Sequence, residues 1–368
     1  MITRKVLLIS TGGTIAGNVS KEKLADDYEV SGASAFSELI APTVNYLIKE
    51  QDVTMDPTPL ELLNVDSSDV NPAHWSLLID TIHEHYDDYD AFVITHGTNT
   101  MGYTAAALSF GIENNAKPII ITGSQIPIDM PGSDARTNLE NALRIAAWQK
   151  HEIYGVVAVF GSQIISGTRV KKSTEFDYDA FVAFQDGDIG QIGRILVWNK
   201  EKLDKHNGYL SEGTRVAKRK EHLNVSNTFN NNILSITEHP GLKSEALINM
   251  VERGGVKGVI MRAFGAGDAA TSLHPALEQL KSMRVPVVIT TQAPNGNANM
   301  QVNEPGQKIE SAKLAAPAYD MSIEACTAKL MWLLAKADKG ELSYDQIMKE
   351  MIDDKRGEVQ VLYEDNFL

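Results

Sequence analysis

The sequence predicts an α/β protein of two domains. The larger, N-terminal one is built on a doubly wound, mainly parallel sheet, and the smaller, C-terminal one is also α/β. Three observations carry this. Short apolar runs end in glycine-bearing turns, beginning with Val6–Ile9 before Ser10-Thr11-Gly12-Gly13-Thr14 and Ala91–Ile94 before Thr95-His96-Gly97-Thr98-Asn99-Thr100. Such runs read as buried parallel strands breaking into loops. Helical patterns alternate with them in the rhythm of βα units. That rhythm stops over residues 199–232 and then resumes, and a chain of 368 residues suits two domains of ordinary size.

Taken in order, the first strand is followed by a polar segment from Gly17 to Gly32 that holds Tyr28. Asn71-Pro72 opens a helix, with asparagine as cap and proline at the first helical position. Trp75, Leu78, Ile79 and Ile82 continue it at helical spacing. Strands follow at Ala91–Thr95, Pro118–Thr122 and Gly155–Phe160. The helix between the last two opens at Ser133 or Asp134 and carries Leu139, Ala142, Leu143 and Ala146 on one face. Residues 1–198 form the first domain on this reading. Residues 199–232, dominated by Lys, Glu, Asp, Asn and Gly, read as a connection with an insertion or arm. Residues 233–368 form the second domain, with strands Ile233–Ile236, Gly258–Ala263 and Val285–Thr290 and helices Ser244–Arg253, Pro275–Met283, Ser322–Ala337 and Ser343–Asp353.

The bulk composition excludes several classes of function. Hydrophobic residues at 43% and charged residues at 22% are ordinary for a globular protein, and a net charge of -14 argues against nucleic acid or an anionic membrane as partner. The densest basic run, Arg215-Val216-Ala217-Lys218-Arg219-Lys220, reads as a solvated loop. The single cysteine, Cys326, allows no intrachain disulfide, reads as a packed core thiol, and fits a reducing compartment. Arg4-Lys5 precede only four apolar residues, short of a signal core of ~7–15, and no run approaches the ~20 apolar residues of a membrane span. A cytoplasmic protein is expected.

In open α/β sheets ligands bind outside the carboxyl ends of strands, where the strand order reverses. Two threonine-bearing turns at two such ends imply one pocket lined by two hydroxyls, the arrangement of hydroxyl-nucleophile chemistry. The glycine turn is not a phosphate loop, a dinucleotide fingerprint or a Gly-x-Ser-x-Gly elbow. His83 and His85, two apart, lie on different helix faces and do not form a metal pair. No metal and no cofactor is expected.

Several ordered motifs resemble the bacterial-type asparaginase/glutaminase family, in its cytoplasmic, type I branch. They are Thr11-Gly12-Gly13-Thr14-Ile15-Ala16-Gly17, Asp66-Ser67-Ser68-Asp69, His96-Gly97-Thr98-Asn99-Thr100-Met101, Thr122–Pro127 with Ser133-Asp134, and Ser166–Lys172 with Phe176 to Phe181. In the second half Pro240-Gly241, Arg262–Gly267 and Asp320–Ala325 continue the match. The resemblance implies Thr14 as nucleophile, Tyr28 closing over it, and Thr98 beside Lys172, a lysine whose lowered pKa would let it serve as base. It further implies that Asp66 and Ser67, with Ser68 beside them, hold the substrate's α-amino and α-carboxylate groups. By sequence alone Tyr46 or Tyr86 could stand in for Tyr28, and Lys171 for Lys172. The same resemblance implies a homo-oligomer, a dimer or tetramer, with L-asparagine as the small-molecule substrate and glutamine as a side substrate. In some relatives an acidic residue reaches a neighbouring subunit's pocket. Here the segment Glu304–Glu310 is the place for it, although its residues read more readily as a solvated loop.

The chain departs from the family at Asn99, where the pattern has aspartate. The family's carboxylate pairs with the substrate ammonium, and an amide carries no charge for that contact. A charge-assisted hydrogen bond is about twice as strong as a neutral one, so weaker binding of the free amino acid follows. Two other readings stay open. One is the ammonia-generating, asparaginase-like component of the archaeal glutamyl-tRNA(Gln) amidotransferase, which shares the core but carries a further domain ahead of the threonine-glycine turn. The other is an amino-acid-binding protein that has lost turnover.

Overall fold

The computed structural model describes residues 2–12, 41–46, 49, 52–147, 153–211 and 223–360. The chain separates into two units, Met1–Asn227 and Thr228–Leu368.

The first unit is organised by an eight-stranded sheet. Its parallel part consists of β1 (Ile2–Ser10), β2 (Val53–Glu61), β3 (Ala91–Thr95), β5 (Pro118–Thr122) and β6 (Gly155–Phe160), in the order β2-β1-β3-β5-β6. Short β4 (Ile112–Glu113) lies outside this sheet, paired with β12 (Asn224–Val225). Beyond β6 the sheet continues antiparallel through β7 (Gln163–Ser166), β10 (Asp188–Ile192) and β11 (Leu196–Trp198). The central strands are buried along their whole length, Ala91–Thr95 and Gly155–Phe160 included, because both faces are covered. Val6, Leu8, Val93, Ile120 and Val157 pack with Leu139, Ala142 and Leu143 on one face. β8 (Val170–Lys172) and β9 (Phe181–Ala183) form a separate antiparallel pair.

Strand β2 escapes the apolar-run reading for a physical reason. It carries Pro57 and Pro59, which remove ladder donors, and it lies at the sheet edge, where that loss is tolerated. Helix α1 (Pro72–Glu84) opens as expected on Asn71, whose side chain accepts from Ala73 N–H while His74 Nδ1 accepts the Asn71 N–H. Helix α2 (Met101–Gly111) carries no amphipathic signal, because all its residues but Tyr103 are buried. Helix α3 (Ala135–Ala146) shows the expected apolar face. Helix α4 (Lys200–Ser211) falls in the stretch read as a connection, and it turns Leu203 and His206 inward.

The second unit has one four-stranded parallel sheet, β13 (Ile233–Thr237), β14 (Gly258–Ala263), β15 (Val287–Thr291) and β16 (Ala316–Pro317), in that order. Around it lie α5 (Ser244–Gly254), α6 (His274–Ser282), α7 (Glu304–Ser311), α8 (Ile323–Asp338) and α9 (Tyr344–Ile352). Leu247, Val251, Val259, Ile289 and Leu277 share its core. Cys326 on α8 is fully buried, and burial pushes its thiol up to about 12. The acidic segment Glu304–Glu310 is a helix and not a loop: Pro305 stands in its first turn, and Glu304 pairs with Lys308 one turn on, at 2.7 Å. No helix among the described residues is long and apolar enough to cross a membrane.

Candidate active site

The strand order places a switch point between β1 and β3: the chain leaves β1 for β2 on one side and returns to β3 on the other. The two threonine turns leave the sheet at this point. Thr11 continues the β1–β3 ladder, its N–H donating to Thr95 O at 3.1 Å and its hydroxyl donating to the same oxygen at 2.9 Å. Gly12 then turns with φ +94°, and a Cβ there would lie 2.6 Å from Val65 N, so only glycine fits. The catalytic candidates Thr14 and Tyr28 lie outside the described residues.

The loop after β2 is brought alongside by the end of β1. Leu62 and Leu63 N–H donate to Ser10 O, and Val65 N–H donates to Thr11 O. This delivers the 66–69 segment, a single helical turn in which Asp66 accepts the Ser68 N–H at 2.8 Å. Hydrogen bonds from the Ser68 backbone and then from its hydroxyl lower the Asp66 pKa. The loop after β3 approaches so closely that a Cβ on Gly97 would lie 2.7 Å from both Cβ and Oγ of Ser67. The two loops are stitched together. Asn99 N–H donates to Ser67 Oγ at 3.2 Å, Asn99 Nδ2 donates to Ser68 Oγ at 3.1 Å, and Thr100 Oγ1 donates to Ser67 O at 2.6 Å.

Lys172, the last residue of β8, completes the cluster. Its Nζ donates to Thr98 Oγ1 at 2.8 Å and to Asn99 Oδ1 at 3.0 Å. Strand alternation sends its neighbour elsewhere: Lys171 Nζ stands 4.9 Å from the centroid of the Phe184 ring. Burial lowers the Lys172 pKa, opposed by the charge of Glu175. Thr98, Asn99, Lys172, Ser67, Ser68 and Asp66 thus form one connected set. The alternatives to Tyr28 are engaged away from it. Tyr46 lies under the Arg144 guanidinium, and the buried Tyr86 donates its hydroxyl to Asn115.

The sequence reading missed a support beneath these loops. His96 is buried, and its Nδ1 donates to Gly97 O at 2.7 Å. Its Nε2 accepts from the Thr104 hydroxyl at 3.0 Å, and Thr104 Oγ1 in turn accepts from Trp75 Nε1 at 3.1 Å. This order makes His96 neutral, and burial pushes its pKa down to about 4. The chain of bonds ties α1, which follows the 66–69 turn, to the backbone beside Thr98. On the other side Asp134 accepts from the N–H groups of Gln125 and Ile126 and from Asn138 Nδ2, which also donates to Gly123 O. The signal for His96 was its place in the run His96–Met101, and for Trp75 its helical spacing; Thr104 carried none.

Comparison with known proteins identifies the family. The asparaginase N-terminal family model matches residues 5–204, and the glutaminase/asparaginase C-terminal domain matches residues 232–347. The chain belongs to the asparaginase family. It is 32% identical to L-asparaginase 1 of Escherichia coli over 361 residues, covering 98% of this chain and 99% of that one. It is also 30% identical to a glutamyl-tRNA(Gln) amidotransferase subunit of Pyrococcus abyssi, over 96% of this chain and 76% of the relative. Among solved structures, L-asparaginase I of Vibrio cholerae superposes with a TM-score of 0.79 at 31% identity, covering 98% of this chain and all of that one. The asparaginase membership and the two-part α/β fold therefore stand on sequence and structure alike.

Proposed function

We propose that this protein hydrolyses the side-chain amide of L-asparagine to L-aspartate and ammonia, with glutamine as a side substrate. The observation that carries this is the Lys172–Thr98 contact of 2.8 Å at the sheet switch point, with Ser67 and Ser68 one hydrogen bond away through Asn99. On this reading the Thr14 oxygen attacks the amide carbon, and its proton passes to the Thr98–Lys172 pair. The C–N bond breaks, the departing nitrogen takes a proton, and ammonia leaves an ester on Thr14. Water then attacks that ester and frees aspartate. A secondary hydroxyl needs such a partner to react at neutral pH. A lysine beside neutral oxygens, with its pKa already lowered by burial, fits the task. Tyr28 would close over Thr14, and Ser67, Ser68 and Asp66 would hold the amino-acid end.

The family membership supports hydrolysis of an amide but does not choose between a free enzyme and an ammonia-supplying component of a larger amidotransferase, since both kinds of relative match at about the same identity. Ammonia release from asparagine by the purified chain, without tRNA or a partner, favours the free enzyme. Release only with a partner favours the amidotransferase component. Binding without release marks a protein that has lost turnover. Replacing Thr14 by alanine should abolish release with the fold intact; wild-type activity in that variant would overturn the nucleophile assignment. We further propose a cytoplasmic homo-oligomer, dimer or tetramer, which light scattering of the active protein tests; a fully active monomer would reject it.

A further inference from the structure

Asn99 stands between a cation and an anion, and the two ends dictate which way its amide faces. Lys172 Nζ has only hydrogens to give, so the amide oxygen faces it at 3.0 Å. At the other end the Asp66 carboxylate only accepts. It takes the Ser68 N–H at 2.8 Å. The Ser68 oxygen accepts from Asn99 Nδ2 at 3.1 Å. Oxygen and nitrogen of the amide cannot exchange places without losing the bond to Lys172.

What the site offers a ligand follows from this order. Asn99 Nδ2 keeps a second hydrogen with no partner among the described residues. Ser67 Oγ accepts the Asn99 N–H at 3.2 Å, and its own hydrogen has no acceptor among the described residues. Lys172 brings a further donor and the positive charge in contact with Thr98. The carboxylate of this bonded set, Asp66, stands at its far end, beyond Ser68. Donors and a cation surround Thr98, and the position that could have met a cationic group presents an N–H instead.

We propose that, beyond L-asparagine itself, the site accepts with higher efficiency an ω-amide of a dicarboxylic acid whose α-carbon bears no ammonium, an N-acylated asparagine above all. The acyl carbonyl accepts the spare Asn99 Nδ2 hydrogen, and the substrate's α-carboxylate takes the Ser67 hydroxyl. An ammonium in the same place meets N–H against N–H. This rests on the reading that residues 66–68, 98–99 and 172 form the amide site. Turnover itself is unchanged: water is consumed and ammonia released.

The test compares kcat/KM for ammonia release from L-asparagine, succinamate and N-acetyl-L-asparagine at neutral pH. Succinamate isolates the effect of deleting the ammonium; the N-acetyl compound adds the acceptor. Both should exceed asparagine, the N-acetyl compound by about tenfold, the scale of one hydrogen bond to a charged or correctly paired group. Asn99→Asp should invert the order, because a carboxylate there favours the ammonium. Preference of the wild-type protein for asparagine over both overturns the proposal. Ammonia from none of the three defeats the hydrolysis reading instead, and calorimetry with succinate and L-aspartate then decides the proposal without turnover: tighter succinate supports it, tighter aspartate overturns it.

Discussion

Lys172 and Lys329, one in each unit, are both drawn away from bulk water, and their surroundings are opposite. Lys172 is half-buried and donates to a hydroxyl and an amide. Lys329, on α8, is fully buried and faces Glu358, itself fully buried, at 2.5 Å. It also donates to Met351 O and Asp353 O, while Glu358 accepts from the N–H groups of Lys355 and Arg356. Burial works to raise the Glu358 pKa, but Lys329, with the N–H groups of Glu358 itself and Arg356, outweighs it and holds it below the usual range. Lys329 is paired with a carboxylate and pins the chain at Glu358 to α8. Lys172 has neutral partners that leave it free to give up a proton. The difference teaches that burial alone does not mark a functional lysine; the nature of its acceptors does.

The comparison breaks if the two lysines fail in the same way. Lys172→Met should lower turnover by about 10²–10⁴-fold, the span of a positioned base, while urea unfolding stays close to wild type. Lys329→Met should do the reverse. It leaves a carboxylate buried and unpaired, at a cost of about 3–5 kcal/mol, with turnover per folded molecule preserved. If Lys329→Met is too unstable to purify, the double change Lys329→Met with Glu358→Leu should recover most of the stability, since an apolar pair replaces a charged one. Equal stability of the single and double variants would show that the pair is not coupled.

His96 supplies a third contrast, a buried titratable group held neutral. Its folded pKa is depressed from an ordinary 6.5 to about 4 by burial. Its contribution to stability is therefore complete above pH 6.5, falls as the unfolded chain takes up the proton, and is gone below about 4. The shift corresponds to about 3 kcal/mol. Unfolding free energies at pH 7 and pH 4 should diverge by that much more in the wild-type protein than in His96→Asn. A parallel pH dependence in the two proteins would place the acid lability elsewhere.

The fold was legible wherever burial on two faces makes a continuous apolar run ended by glycine, as at Val6–Ile9 and Ala91–Ile94. It was illegible where another signal replaces that one. Strand β2 hides behind two edge prolines, and α4 behind an inward histidine, His206, whose Nδ1 and Nε2 are engaged by Ser166 and Tyr154. The residues around Thr98 were legible as motifs. Their connections were not: Lys171 and Lys172 are adjacent letters until a strand sends one to Phe184 and the other to Thr98. Likewise Asn99 reads as a lost charge, whereas its amide is the middle of a relay from Lys172 to the Ser68 hydroxyl.

That relay gives the smallest of the expected effects and the most specific. Asn99→Asp places a carboxylate 3.0 Å from Lys172 Nζ, where an amide oxygen now stands. Lys172 would then resemble Lys329 in having an anionic partner. An adjacent negative charge favours the protonated ammonium, so the Lys172 pKa must rise from the lowered position that burial gives it. If Lys172 acts as base, kcat grows as it loses its proton, and the rising limb of the pH–kcat profile should move to higher pH in the variant. Binding is affected separately, because KM for asparagine also responds to the new charge. Reading kcat at saturation keeps the two apart. A profile in the variant that coincides with wild type would mean that the proton taken from the nucleophile does not reside on Lys172. The 2.8 Å contact with Thr98 would then serve to hold the hydroxyl in place.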